Sequence, residues 1–215
     1  MQRKTLAAVA ATAVLALGAT ACGSDENTTA PDPKPTPVAS IPSLSGQTTA
    51  VMLDQGFVKA LGQLKLTPAP VGDATITDEG VAKFPITGGT VTYYKPGSVS
   101  PYVQGMIDHD GSGLSLTGGG KTVKLTDFEV DPGKSLLTGK VTVDGKVAAE
   151  SAPLFFLDGR TLQPLQTNDD GTAVLEGTTV KLKAEAADLL NQTFGTDALT
   201  EGLVIGTAKI TVNTA

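Results

Sequence analysis

The chain holds a single histidine, His109, in a run of groups that could do chemistry: Asp108-His109-Asp110-Gly111-Ser112-Gly113. Hydrolytic use would need a nucleophile on one ring nitrogen and an orienting acid on the other. Ser112 and Asp108 supply the types. Alternation along a strand, however, sends Asp108 to the face opposite His109, and no G-x-S-x-G elbow is present. The run predicts a half-exposed histidine beside a turn, and no catalytic residue is assigned. Asp108, Asp110 and Ser112 also match the first half of a calcium loop. The twelfth position then falls on Gly119, where a bidentate Glu is required, so an acidic β-turn is expected and no metal site. Asn168-Asp169-Asp170-Gly171 reads as another turn. Gly118-Gly119-Gly120-Lys121-Thr122 lacks the first glycine of a phosphate loop, since Ser115 stands there, and a strand follows instead of a helix. Tyr93, Tyr94 and Tyr102 surround Lys95-Pro96-Gly97 and could line a binding surface. The candidate ligand-binding residues are therefore His109, Tyr93, Tyr94, Asp108 and Asp110. The ligand would be a small molecule, a glycan or an envelope protein.

The composition narrows the class. The 215 residues carry a formal charge of −6, which disfavours nucleic acid as a partner, because phosphate backbones are bound by surplus Lys and Arg. Arg occurs only at positions 3 and 160. Gly is abundant, Trp is absent, and Leu, Val and Thr fill the regular segments. This favours a β-rich domain with tight turns. A single cysteine allows no internal disulfide, so the fold must rest on its core.

That cysteine, Cys22, ends a leader. Arg3 and Lys4 form a basic start, and Leu6 to Gly18 is an apolar run too short to span a bilayer. Ala19-Thr20-Ala21 then gives the small residues that a signal peptidase needs. Small residues followed directly by the lone cysteine resemble the lipobox of bacterial lipoproteins. The resemblance implies cleavage between Ala21 and Cys22 and a diacylglyceryl thioether on Cys22. Two acyl chains would hold the protein stably on the extracytoplasmic face of the cell membrane. From residue 22 to 45, Pro31, Pro33, Pro35, Pro37 and Pro42 predict an extended polyproline tether. At ~3.1 Å per residue it would reach on the order of 60 Å.

Residues 46–215 are expected to form one domain, mainly β: an antiparallel sandwich or a partly closed barrel with two short helices. Gln55 to Leu64 puts Phe57, Val58, Leu61 and Leu64 at helical spacing, and Ala184 to Phe194 does the same with Ala187, Leu190 and Phe194. Strands are expected at Thr49–Leu53, Thr75–Thr77, Val81–Ile86, Gly89–Tyr94, Val103–Ile107, Gly113–Thr117, Thr122–Val130, Pro153–Leu157, Thr179–Leu182 and Leu203–Val212. Val141-Thr142-Val143-Asp144-Gly145-Lys146 is a hairpin, with Asp-Gly in a type I′ turn. Val71–Thr77 matches Ile205–Thr211 in letters, which suggests two related strand–helix–strand units.

One order of features covers Phe57 to Gly145: a Phe-bearing helix, Phe84-Pro85-Ile86-Thr87-Gly88-Gly89, Gly105-x-Ile107 with Gly111-x-Gly113-Leu114-x-Leu116, and Leu136-Leu137-Thr138-Gly139. It resembles the HtaA-type haem-binding domain of actinobacterial surface proteins, and implies a β-rich module that passes haem inward. The family's ligand tyrosine falls on Ala60 here and its histidine near Ser112. Haem, if bound, would have to use Tyr93, Tyr94 or His109 as its axial ligand.

The sequence thus points to a lipid-anchored, non-enzymatic binding or structural module of the cell envelope. Haem relay is the alternative and an envelope hydrolase the third reading. Mass spectrometry of the mature N-terminus should find a diacylated Cys22; a free thiol there, or a peptide running on from Ala21, would refute anchoring.

Overall fold

Period-two alternation governs residues 34–214, which are described by a computed structural model. The leader, the cleavage site at Ala21 and Cys22, and the first part of the tether lie outside the described residues. The elements in order are β1 (Ala39–Ile41), β2 (Thr48–Leu53), α1 (Gln55–Gln63), β3 (Thr67–Gly72), β4 (Thr75–Ile76), β5 (Val81–Pro85), β6 (Gly88–Tyr93), β7 (Val103–Gly118), β8 (Lys121–Asp131), β9 (Leu136–Val143) and β10 (Lys146–Asp158). A 3-10 turn (Gly159–Thr161), β11 (Gln166–Thr167), β12 (Thr172–Leu182), α2 (Ala184–Phe194) and β13 (Val204–Asn213) follow.

All thirteen strands join one antiparallel sheet in the order β1-β6-β7-β8-β9-β10-β12-β13-β2-β5-β4, with β3 on β7 and β11 on β12. The sheet curls into a partly closed barrel, the second of the two architectures expected. Its curl is set at one corner. β5 pairs with β2 and β6 pairs with β7, yet only Ile86 and Thr87 separate β5 from β6. One bent stretch of chain therefore belongs to both flanks of the sheet. Ile86 N donates to Gln47 O at 2.9 Å, and Thr87 N donates to Asp108 O at 2.8 Å. Close approach of β6 and β7 requires glycine. A Cβ on Gly105, at φ +122°, would lie 2.0 Å from Thr90 O, and one on Gly89, at φ +114°, 2.1 Å from Met106 O.

Both helices stand at one end of the barrel. The Asp54 carboxylate caps α1, accepting from Gly56 N at 2.8 Å and Phe57 N at 3.2 Å, and Phe57 and Leu61 face inward. α2 stops at Gly195, which takes the left-handed conformation. It buries Ala186, Ala187 and Leu190. These side chains pack with Leu116, Val123, Leu125, Val141 and Leu154 into the core. The Asp144-Gly145 turn has positive φ at both residues, +48° and +80°, as the type I′ assignment requires.

Several expectations change. Val103–Ile107 and Gly113–Thr117 are halves of the single strand β7. Gly111 and Gly113 serve a bulge between His109 and Gly113 that lets pairing with β8 continue, so no acidic turn forms there. Residues 38–45, read as tether, belong to the domain: β1 pairs with β6, and Leu44 is buried. Both strand–helix–strand segments are present but are not equivalent. β12 and β13 pair with each other, whereas β2 pairs with β13 and β3 with β7. The Val71–Thr77 letters span the end of β3, a turn and β4, while Ile205–Thr211 lies within one strand.

Leu154 is fully buried against the helical end. Leu154→Ala should lower the unfolding free energy by about 3 kcal/mol, read as a lower urea midpoint at unchanged m; a midpoint equal to wild type would contradict this packing.

Candidate functional site

At the end opposite the helices the barrel is hollow. There β7, β9 and β12 begin, and β6, β8, β10 and β13 end. Their inward side chains enclose an open cavity of about 950 Å³, at the upper end of the ~300–1,000 Å³ range of small-molecule sites. Its walls are apolar, from Val51, Ile107, Val130, Val180, Ile205 and Ile210 among others. The same alternation that fills the helical end with side chains leaves this end without facing partners. Among the lining residues, formal charge is confined to Asp158 and Arg160.

His109 sits on this wall, 1% exposed, and not beside a turn as expected. Its Nε2 lies 2.8 Å from Thr49 Oγ1 and its Nδ1 3.3 Å from Phe128 O. A carbonyl only accepts, so Nδ1–H donates to Phe128 and Nε2 accepts from the Thr49 hydroxyl. Phe84 packs edge-on to both His109 and Phe128, with ring centroids 6.4 and 5.3 Å apart. Burial holds the His109 pKa down at about 4, against weaker opposing effects of the Phe128 carbonyl and the Asp110 carboxylate. The imidazole is therefore neutral, fully bonded and structural. Ser112 is also buried, but its Oγ donates to His109 O and not to the ring.

The other candidates divide. Tyr93 lines the cavity and stacks edge-on with Tyr102, at 5.8 Å and 90°. Tyr94 is not part of the lining. Asp108 and Asp110 alternate with His109 and lie on the outer face. Asp110 clasps Thr87 there: Asp110 N donates to Thr87 Oγ1 at 2.9 Å, and Thr87 Oγ1 donates to Asp110 Oδ2 at 3.3 Å. Burial first, and Asp110 second, push the Asp108 carboxyl up. The sequence reading missed Phe84, Phe128 and Arg160. Arg160 had a signal: it is the one arginine outside the leader, next to an Asp-Gly pair.

Haem, implied by the HtaA-type resemblance, would need an axial ligand here. Ala60 on α1 has no ligating atom, and both nitrogens of His109 are committed. Tyr102 is held up in pKa by burial and by Tyr93, and Tyr94 lies outside the lining. Ala60, His109 and Tyr94 thus offer no ligand in the cavity; the phenols of Tyr93 and Tyr102, which line it, are the ligating groups left.

The buried imidazole makes stability depend on pH. Unfolded, His109 titrates near 6.5; folded, near 4. Between those values the unfolded chain binds the extra proton, so stability falls as pH drops through that window, by about 3 kcal/mol in all. Urea midpoints measured from pH 7 to pH 4 should fall more steeply in wild type than in His109→Gln; equal slopes would contradict the assignment.

No protein-family model and no curated protein sequence matches the chain. Among solved structures, it is similar to the C-terminal domain of HtaA from Corynebacterium glutamicum, with a TM-score of 0.54 and 14% identity over 80% of this chain and 98% of that one. The domain-swapped dimer of a histidine-to-alanine variant of that domain matches with a TM-score of 0.45 and 14% identity over 75% of this chain and 90% of that one. At this identity the HtaA domain likeness is one of fold: a mainly β, curled antiparallel sheet with two helices.

Proposed function

We propose that this domain is a non-enzymatic binding protein that takes an apolar small molecule into the hollow end of its barrel. The observation that carries the reading is the open, apolar cavity of about 950 Å³ in an otherwise well-packed domain. Leaving that much apolar wall in contact with water costs free energy, at roughly 25 cal/mol per Å². A ligand that covers the wall recovers it. The His109–Thr49 and Phe84–Phe128 contacts hold the wall in place before a ligand arrives, which limits the ordering cost of binding.

The location follows from the leader. The Cys22 anchor and the proline segment would hold the domain outside the membrane within reach of envelope molecules. Haem relay is the weaker reading. It has the shared fold in its favour, but a porphyrin entering the cavity would meet no open imidazole and only the phenols of Tyr93 and Tyr102.

The reading is tested with a fluorescent apolar probe. Emission should rise and saturate at one site per chain. Ala173 lines the cavity, and Ala173→Trp would push an indole into the hollow. It should weaken probe binding at least about tenfold, roughly 1.4 kcal/mol, while the protein stays folded. Unchanged binding in a folded Ala173→Trp would refute the site. Haem titration of wild type should give no Soret band typical of tyrosine or histidine ligation; such a band, lost on Tyr93 substitution, would move the function to haem.

A further inference from the structure

The edge of the cavity carries a charge cluster in which Asp158 caps the 3-10 turn, accepting from Arg160 N at 3.2 Å, and bridges β10 to β12 through Lys181. Asp158 ends β10 and is buried. Its carboxylate holds the Arg160 guanidinium in a two-pronged grip: Nε donates to Oδ1 at 2.9 Å and Nη2 to Oδ2 at 2.6 Å. Lys181 Nζ, on the neighbouring β12, donates to the same Oδ2 at 2.8 Å. Two cations thus share one carboxylate, and the cluster keeps a net charge of +1 in a protein whose total is −6. The Arg160 side chain is 82% exposed. Its described hydrogen bonds use Nε and Nη2, and a guanidinium has five N–H donors. The Asp158–Lys181 pair helps hold β10 to β12, but the exposed Arg160 arm adds little to stability, so holding the fold is a weak reason for the guanidinium. A planar donor fork, pinned in place beside an apolar hollow, matches a carboxylate or phosphate at the end of an apolar chain.

We infer that the ligand of the cavity is an acyl chain with an anionic head, the chain lying against the apolar wall and the head meeting Arg160 at the rim. This rests on the apolar-ligand reading above and adds to it the sign of the head and the residue that selects it. Asp158 acts as the positioning residue for Arg160, and Lys181 offsets the carboxylate charge that would otherwise repel the head.

The test keeps the chain constant and changes the head. Laurate, lauryl phosphate and dodecanol displace the bound fluorescent probe from the purified protein, from Arg160→Gln and from Arg160→Lys. Wild type should bind laurate or lauryl phosphate about tenfold more tightly than dodecanol. Arg160→Gln should abolish that preference and leave dodecanol unchanged, and Arg160→Lys should retain most of it. Added salt should weaken the anions alone, a readout that holds even if a variant folds poorly. Whichever of laurate and lauryl phosphate binds tighter tells a free fatty acid from a phospholipid-type head, and either supports the inference. Equal affinity of all three heads for wild type, or an Arg160→Gln effect equal on dodecanol and the anions, would overturn it while leaving the apolar cavity as the site. Failure of all three to displace the probe would overturn both.

Discussion

The curl of the sheet depends on one seam, where β7 meets β2 across the bend between β5 and β6. On the outer face Thr87 and Asp110 bind each other. On the inner face His109 reaches across to Thr49. Between them run the backbone bonds of Ile86 and Thr87. A long antiparallel sheet has intrinsic twist but no intrinsic closure. Here closure comes from a single bent segment shared by both flanks. His109 is suited to the inner bond because a neutral imidazole both donates and accepts. It satisfies the Phe128 carbonyl and the Thr49 hydroxyl at once, and no described buried side-chain polar atom lacks a partner.

Closing at that corner divides the interior. The helical end fills with leucine, valine and alanine from two helices and the strands beneath them. The other end has walls but nothing to fill the space between them. The edges of the sheet are also handled. β3 carries Pro68 and Pro70, which cannot donate to a further strand, and β1 and β4 are only three and two residues long. Exposed ladder is thus limited, and among the described residues the concave apolar wall is left uncovered.

Local features of this fold were legible in the sequence. Both helices were visible from apolar spacing. The Asp144-Gly145 hairpin followed from the positive φ that such a pair tolerates. What was not legible was long-range. The His109–Thr49 bond joins residues sixty positions apart, so the segment looked like a turn when its glycines in fact serve a bulge. Alternation put Asp108 and His109 on opposite faces of their strand, but did not show whether anything faces His109 across the barrel. The cavity is a property of how far the barrel closes, and no short window records that. Residues 38–45 looked like tether because prolines dominate what precedes them, yet Leu44 finds a place in the core.

The central claim is that the hollow end of the barrel is where the ligand lies. Methyl NMR of the labelled protein during titration with laurate tests it most directly. Val91, Val130, Val180 and Ile210 line the cavity, whereas Val58 and Val147 are exposed elsewhere on the domain. The account predicts saturable shifts in the first set and none in the second. Shifts centred on Val58 or Val147, or no saturable change in the cavity methyls, would contradict it.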